Sequence, residues 1–251
     1  MTLGTPPGTP VPAAPARRQA AVAAIRPAAT ASISPAAATG PVLWLVRHGE
    51  STWNVLGLAQ GQSDQARLTH RGVCQAQYVT DQLRGRRISA VYASDLHRTA
   101  ATAAPLAAAL GLEVTLDPRL RERSLGLLEG TASIAIPAAL SGVAGDRVLD
   151  PDAWPPDGES LRDMYWRVAA FADDRLARSE PGQPGKVSAG QTSAGQASAA
   201  GATEEIAVVA HGGTLRMLTA YLRGVPVERM SWEPIGNGCV LRLPLQRKEN
   251  G

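Results

Sequence analysis

Three short runs in the chain bring together residue types that bind and break phosphate esters. Arg47-His48-Gly49-Glu50 continues into Ser51, Thr52, Trp53 and Asn54. Ser94-Asp95-Leu96-His97-Arg98 and His211-Gly212-Gly213 complete the set. A phosphomonoester dianion is held by guanidinium forks that bind its non-bridging oxygens bidentately, and imidazole beside it can donate, accept or attack. Gly49, Gly212 and Gly213 lack a Cβ, which predicts that backbone N–H groups approach an oxyanion there, at helix N-termini. Glu122, in Arg119-Leu120-Arg121-Glu122, adds an ionisable carboxyl. Each residue alone reads as an ordinary polar side chain; their shared position after apolar runs gives them weight.

Those runs imply the elements that must position them. Val42–Val46, Ile88–Tyr92, Glu113–Leu116, Ile206–Ala210 and Val240–Leu243 read as short buried strands. Helical spacing appears from Thr69, an N-cap, through Val73, Ala76, Val79 and Leu83. Asp95 is placed to cap a helix bearing Leu96, Ala100, Ala103, Ala107 and Leu110, with Gly111 as its stop. Ser160 caps another with Leu161, Met164, Val168, Phe171 and Leu176, and Gly213–Leu222 forms the last. Alternating strands and helices predict an α/β fold, a three-layer αβα sandwich around a mostly parallel sheet. Ligands of such sheets bind beyond the carboxyl ends of the strands. The three runs stand there.

Composition narrows the function classes. The net charge of +3 comes from 25 basic and 22 acidic residues. Residues 1–40 contain Arg17, Arg18 and Arg26 and no acid, which leaves 22 of each sign elsewhere. The remainder is not a nucleic-acid-binding surface. No apolar run reaches a membrane span, and the N-terminus has no signal-peptide core, so a soluble cytoplasmic protein is expected. Cys74 and Cys239, in apolar contexts, are expected as buried thiols. Residues 1–40 carry 7 prolines among 13 alanines, which predicts a disordered tail or translation from an upstream start codon. The domain is expected over 41–246, with residues 179–203 as a flexible low-complexity insertion.

In order and spacing, Arg47-His48-Gly49-Glu50-Ser51 with Asn54, Ser94-Asp95-Leu96-His97-Arg98-Thr99-Ala100, Leu120-Arg121-Glu122 with Gly126 and Glu129-Gly130, and Ala210-His211-Gly212-Gly213 resemble the histidine phosphatase superfamily. The branch is the one containing the cofactor-dependent phosphoglycerate mutases, and the resemblance runs from Val42 to Leu243. It implies that His48 is a nucleophile forming a phosphohistidine, its ring held by a backbone carbonyl. It makes Arg47, Arg98 and His211 the catalytic phosphate pocket, with Asn54 and Gly212 as further substrate contacts. Glu122 would protonate the leaving alcohol and then activate water; Glu50 and Glu129 compete for that role by proximity, and Glu50 reads as structural. Trp53 reads as packing, His70 and His97 as surface positions, and Asp157-Gly158-Glu159-Ser160 as a helix cap near the rim. No cofactor and no metal is implied, because arginines supply the positive charge.

Hydrolysis of a small-molecule phosphomonoester is expected over mutase-type transfer. After Asn54 the chain reads Gly57, Gln60-Gly61-Gln62, Asp64 and Leu68-Thr69, as phosphatase members do. Between Glu122 and Trp154 only Arg123 and Arg147 are basic, which argues against a glycerate leaving group. Phosphoglycerate mutase activity and a non-catalytic phospho-ligand-binding protein are the alternatives. Residues Thr131–Asp150 are expected to cap the site with a partly apolar surface. Beyond the substrate no partner is implied, neither nucleic acid nor membrane; a homodimer stays open.

Overall fold

The computed structural model describes residues 41–136, 150–176, 204–230 and 232–245. The expected tail, the 179–203 insertion and most of the expected cap, residues 137–149, lie outside them. The strands are β1 (Val42–Arg47), β2 (Ile88–Ala93), β3 (Val114–Leu116), β4 (Glu205–Ala210) and β5 (Val240–Pro244). The α-helices are α1 (Thr52–Leu56), α2 (His70–Leu83), α3 (His97–Leu110), α4 (Leu161–Arg175) and α5 (Gly212–Leu222). One sheet runs in the order β3-β2-β4-β1-β5. Pairings of β1 with β4, β4 with β2 and β2 with β3 are parallel, whereas β5 runs antiparallel to β1.

Both faces of the sheet are buried, and strand alternation divides them. Leu43 and Leu45 of β1, with Ile206 and Val208 of β4, pack against Met164, Val168 and Phe171 of α4 and Leu215 and Leu218 of α5. Their neighbours Val42, Trp44 and Val46, with Ala207 and Val209, pack against Val79 and Leu83 of α2 and Ala103 and Leu106 of α3. Successive side chains point to opposite faces, so an uninterrupted apolar strand needs helices on both sides. This is the expected three-layer sandwich. It carries β1, β2 and β4, three neighbours, to a common carboxyl edge.

Several local expectations hold with their physics. Thr69 Oγ1 accepts from Gly72 N at the start of α2. Ser160 and Asp163 form a reciprocal capping box on α4. Gly111 ends α3 in the left-handed region at φ 67.

Others do not. Val73 is exposed, and α2 buries Gly72, Ala76, Val79, Thr80 and Leu83 instead. Cys74 is exposed on the same helix and Cys239 is half-buried, so neither is the expected buried thiol. Asp95 does not cap α3, whose N-cap is Leu96 without a side-chain bond. Its carboxylate takes the Arg121 fork instead, through Nε at 2.7 Å and Nη2 at 2.5 Å. A bidentate charged pair outcompetes a single cap bond, and the Arg121 bonds hold the Asp95 carboxyl below its ordinary range against the opposing effect of burial. Among the described residues no helix is long and apolar enough to cross a membrane.

Candidate active site

The edge formed by β1, β4 and β2 brings together Arg47, His48, Arg98 and His211. His48 and His211 are buried, with ring centroids 5.2 Å apart. His48 Nδ1 lies 2.7 Å from the Gly49 carbonyl. A carbonyl only accepts, so Nδ1 carries the ring proton and Nε2 keeps its lone pair. His211 Nε2 lies 3.1 Å from Ser94 Oγ. Ser94 Oγ also accepts from Leu96 N; with its own hydrogen directed to Nε2, the His211 ring proton sits on Nδ1.

Arg98, at the start of α3, is 1% exposed. Its Nη1 donates to Ser63 O and its Nη2 to Gly61 O, both at 2.8 Å. Arg47 Nη1 donates to Ile235 O. Among the described residues three buried nitrogens then have no partner: Arg47 Nε, Arg98 Nε and His211 Nδ1. Leaving a buried donor unsatisfied costs about 1–3 kcal/mol. Three such donors around one imidazole are the geometry of an oxyanion cradle.

Burial, then the Arg98 and Arg47 charges, push the His48 imidazole down to about 3 against the Gly49 bond. Burial also lowers His211, as do Arg98, His48 and Arg47. Both rings are therefore neutral in the folded protein, while the unfolded chain protonates them below about pH 6.5. The unfolded state binds more protons, so stability present above pH 6.5 is lost as pH falls toward 3. The expected result is a melting temperature that declines between pH 6.5 and 4.5, with a shallower decline in His48→Gln. An unchanged slope in the variant would remove His48 as a source of the acid sensitivity.

Glu122 reaches the same rim. Its Oε1 accepts from Arg123 N and its Oε2 from Gly213 N, each at 2.9 Å, which fixes the carboxyl plane. A Cβ on Gly213 would come within 2.1 Å of Oε1, so glycine there makes room for the carboxyl. The loop carrying Glu122 is tied down by Arg167 of α4, which donates to the carbonyls of Arg119, Arg121 and Glu122. Arg167 also pairs with Glu159 at 2.5 Å, and Glu159 accepts from Ser124 N. The Asp157–Ser160 turn thus both caps α4, through Ser160, and braces the rim, through Glu159.

The competing acids are engaged by other partners. Glu129 Oε1 accepts from Gln62 N and Leu125 N. Glu50 bonds Thr69 Oγ1 and Arg71 at the start of α2.

The glycines differ from expectation. Gly49 N donates to Thr102 Oγ1, and a Cβ on Gly49 would stand 2.4 Å from Gly72 O. That glycine allows α2 to approach β1, while Gly213 N is spent on Glu122; neither N–H is turned to an oxyanion. Gly212 is buried in the first turn of α5 beside Arg47. Asn54 lies at the rim, its Oδ1 held by Ser51 N at 3.0 Å and Asn237 Nδ2 at 3.1 Å. Trp53 is half-buried near Gly130, and His70 and His97 are exposed as expected.

Sequence reasoning missed the segment before β5. Because β5 is antiparallel, its N-terminal end arrives at the carboxyl edge of β1. Asn237 Nδ2 donates to His48 O at 3.1 Å, and Gly238 N to Arg47 O and His48 O. Ser94 stood in the quoted motif without a role. A cavity of about 320 Å³ opens beside Glu122, lined by Leu125, Ile136, Leu161, Met164, Arg216 and Trp232 among others.

Comparison with known proteins places the chain in a family of this fold. A probable phosphoglycerate mutase GpmB of Erwinia tasmaniensis is 39% identical over 213 residues, covering 82% of this chain and 85% of that protein. The solved structure of a mycobacterial glucosyl-3-phosphoglycerate phosphatase matches at TM-score 0.64 and 31% identity, over 80% of this chain and 89% of that one. A putative alpha-ribazole-5'-P phosphatase from Escherichia coli matches at TM-score 0.63 and 29% identity, over 81% and 89%. The family model of the histidine phosphatase superfamily (branch 1) matches residues 43–250, and the chain belongs to that superfamily.

Proposed function

We propose that the protein hydrolyses a small phosphomonoester through a phosphohistidine on His48. The observation that carries this reading is the cradle: a neutral imidazole ringed by Arg47, Arg98 and His211, with three buried nitrogens that have no partner among the described residues. His48 Nε2 attacks phosphorus in line, and the bond to the ester oxygen breaks. Glu122 gives its proton to the departing alkoxide. As carboxylate it then takes a proton from water, whose oxygen attacks phosphorus and releases His48 and inorganic phosphate. Arg47, Arg98 and His211 hold the equatorial oxygens, with Asn54 and Gly212 at the rim of the same pocket. In this reading the guanidinium groups neutralise the phosphoryl charge and no metal takes part.

A second reading, transfer of the phosphoryl group to another phosphoglycerate, is favoured by the name of the Erwinia relative. One experiment separates the two. The enzyme is assayed on a phosphomonoester panel for phosphate release and for an acid-labile, base-stable phosphoryl adduct, with and without chelator. Hydrolysis predicts stoichiometric phosphate and a rate unchanged by EDTA. Exchange between phosphoglycerates without phosphate release would replace hydrolysis by transfer, and loss of activity on chelation would overturn the metal-free mechanism.

A further inference from the structure

Glu122 lies between β3 and α4, outside any strand or helix, yet a proton-transfer group displaced by about 1 Å can lose about 10²-fold in rate. What pins it is Arg167 of α4. Arg167 Nη1 donates to Arg119 O at 2.7 Å and to Arg121 O at 3.1 Å. Its Nη2 donates to Glu122 O at 3.3 Å and to Glu159 Oε1 at 2.5 Å, and its Nε to Glu159 Oε2 at 3.1 Å. These bonds use every N–H of the guanidinium. Arg47 and Arg98 each keep a buried Nε with no partner among the described residues; Arg167 keeps nothing for a phosphate.

Glu159 completes the frame. It meets Arg167 fork to fork, and its Oε1 also accepts from Ser124 N at 2.9 Å and from Gln62 Nε2 at 3.3 Å. The carbonyls up to Glu122 and an amide just after it are thus held by one ion pair across the first turns of α4. The side chains of that pair are 21% and 17% exposed, so salt screens them little.

We propose that Arg167, held by Glu159, is a positioning residue for the acid–base step: it sets the Glu122 carboxyl against the leaving oxygen without touching the substrate. The inference rests on the role given to Glu122 above. Its consequence is selective. An alkoxide needs the Glu122 proton in order to leave, whereas p-nitrophenolate departs as the anion. Slack in the Glu122 segment therefore slows the loss of an alkanol and spares the loss of p-nitrophenolate. A brace needed only for the fold or for the phosphate cradle would slow both alike.

The test measures kcat/KM for benzyl phosphate and p-nitrophenyl phosphate, two esters of similar size. This constant covers the steps up to release of the alcohol, so the later attack of water does not enter. Glu122→Gln sets the scale, with an expected loss of about 10²–10⁴-fold on benzyl phosphate. Arg167→Met is expected to lose about 10²-fold on that ester and less than about threefold on p-nitrophenyl phosphate. Arg167→Lys is expected to recover part of the loss. Glu159→Gln keeps the side chain's size and serves should Arg167→Met fail to fold; its expected loss is about tenfold, with the same selectivity. Adding Arg167→Met to Glu122→Gln is expected to cost nothing further on benzyl phosphate. Equal losses on both esters in the Arg167 and Glu159 variants, beside a selective loss in Glu122→Gln, overturn the assignment and leave the hydrolase reading standing. Equal losses in Glu122→Gln would remove Glu122 as the acid, and the proposal with it. Absence of turnover by wild type on every phosphomonoester is the separate result that overturns the hydrolase reading itself.

Discussion

Replacement of His48 by alanine is expected to lower kcat about 10⁴-fold or more on every phosphomonoester the wild type accepts. The expectation comes from position. The ring is fixed through Nδ1 on the Gly49 carbonyl, its Nε2 lone pair is held neutral by burial and by Arg98 and Arg47, and His211 cannot stand in for it. In His211, Nε2 meets Ser94, and Nδ1 is one of the buried nitrogens with no partner among the described residues. It is built to donate, not to attack. His211→Ala should therefore lose only about 10²–10³-fold, the cost of one oxyanion donor, and still form the base-stable phosphoryl adduct. Burst-phase trapping with purified variants checks both. A His48→Ala enzyme that keeps more than a few per cent of the wild-type rate, or still traps the adduct, would displace His48 from the nucleophile's role.

The second large effect is expected at Arg98, where charge conservation should not help. Arg98→Lys is expected to reduce kcat/KM by about 10²–10³-fold and to lower the melting temperature by about 4–8 °C. The guanidinium bonds Ser63 O and Gly61 O with its two Nη atoms while Nε stays free toward the cradle. An ammonium is a single point charge without the planar fork that spans both carbonyls while turning Nε to the substrate. Leaving carbonyls unpaired costs roughly 2 kcal/mol, which sets the thermal shift for a domain of this size. Steady-state kinetics and calorimetry on the same preparation decide it. Wild-type kcat/KM in Arg98→Lys would mean that Arg98 only braces the Gly61–Ser63 turn.

The Gly57–Thr69 stretch, read in sequence as a sign of hydrolysis, acquires a physical role from these contacts. Gly61 and Ser63 hold Arg98, and Gln62 Nε2 donates to Glu122 O at 3.1 Å. The segment thus links Arg98 to the carboxyl expected to act as acid and base. Asp95 makes a related connection from β2 to the Glu122 loop through Arg121. That bond was unreadable in sequence, where Asp95 had the composition and place of a helix cap.

The candidate site was legible because parallel strands advertise themselves. Each of β1, β2 and β4 is an apolar run too short for a helix, and the residues just past its C-terminal end must face the carboxyl edge of the sheet. Arg47, His48, Arg98 and His211 share that edge by this rule and by their motifs, and Glu122 by its place after the third strand and by its motif. The sequence by itself therefore determined the fold class, the capped helix starts at Thr69 and Ser160, and the residues at one rim. Only the tertiary structure decided the rest, because it depends on directions and approaches that no local pattern encodes. The antiparallel course of β5 delivers Asn237 and Gly238 to His48. The packing of β1 on α2 decides that Gly49 serves a close backbone contact. The meeting of α5 with the segment before β5 sets Arg216 against Trp232 beside the cavity next to Glu122. Side chains from distant stretches share a site only through the sheet that lies between them.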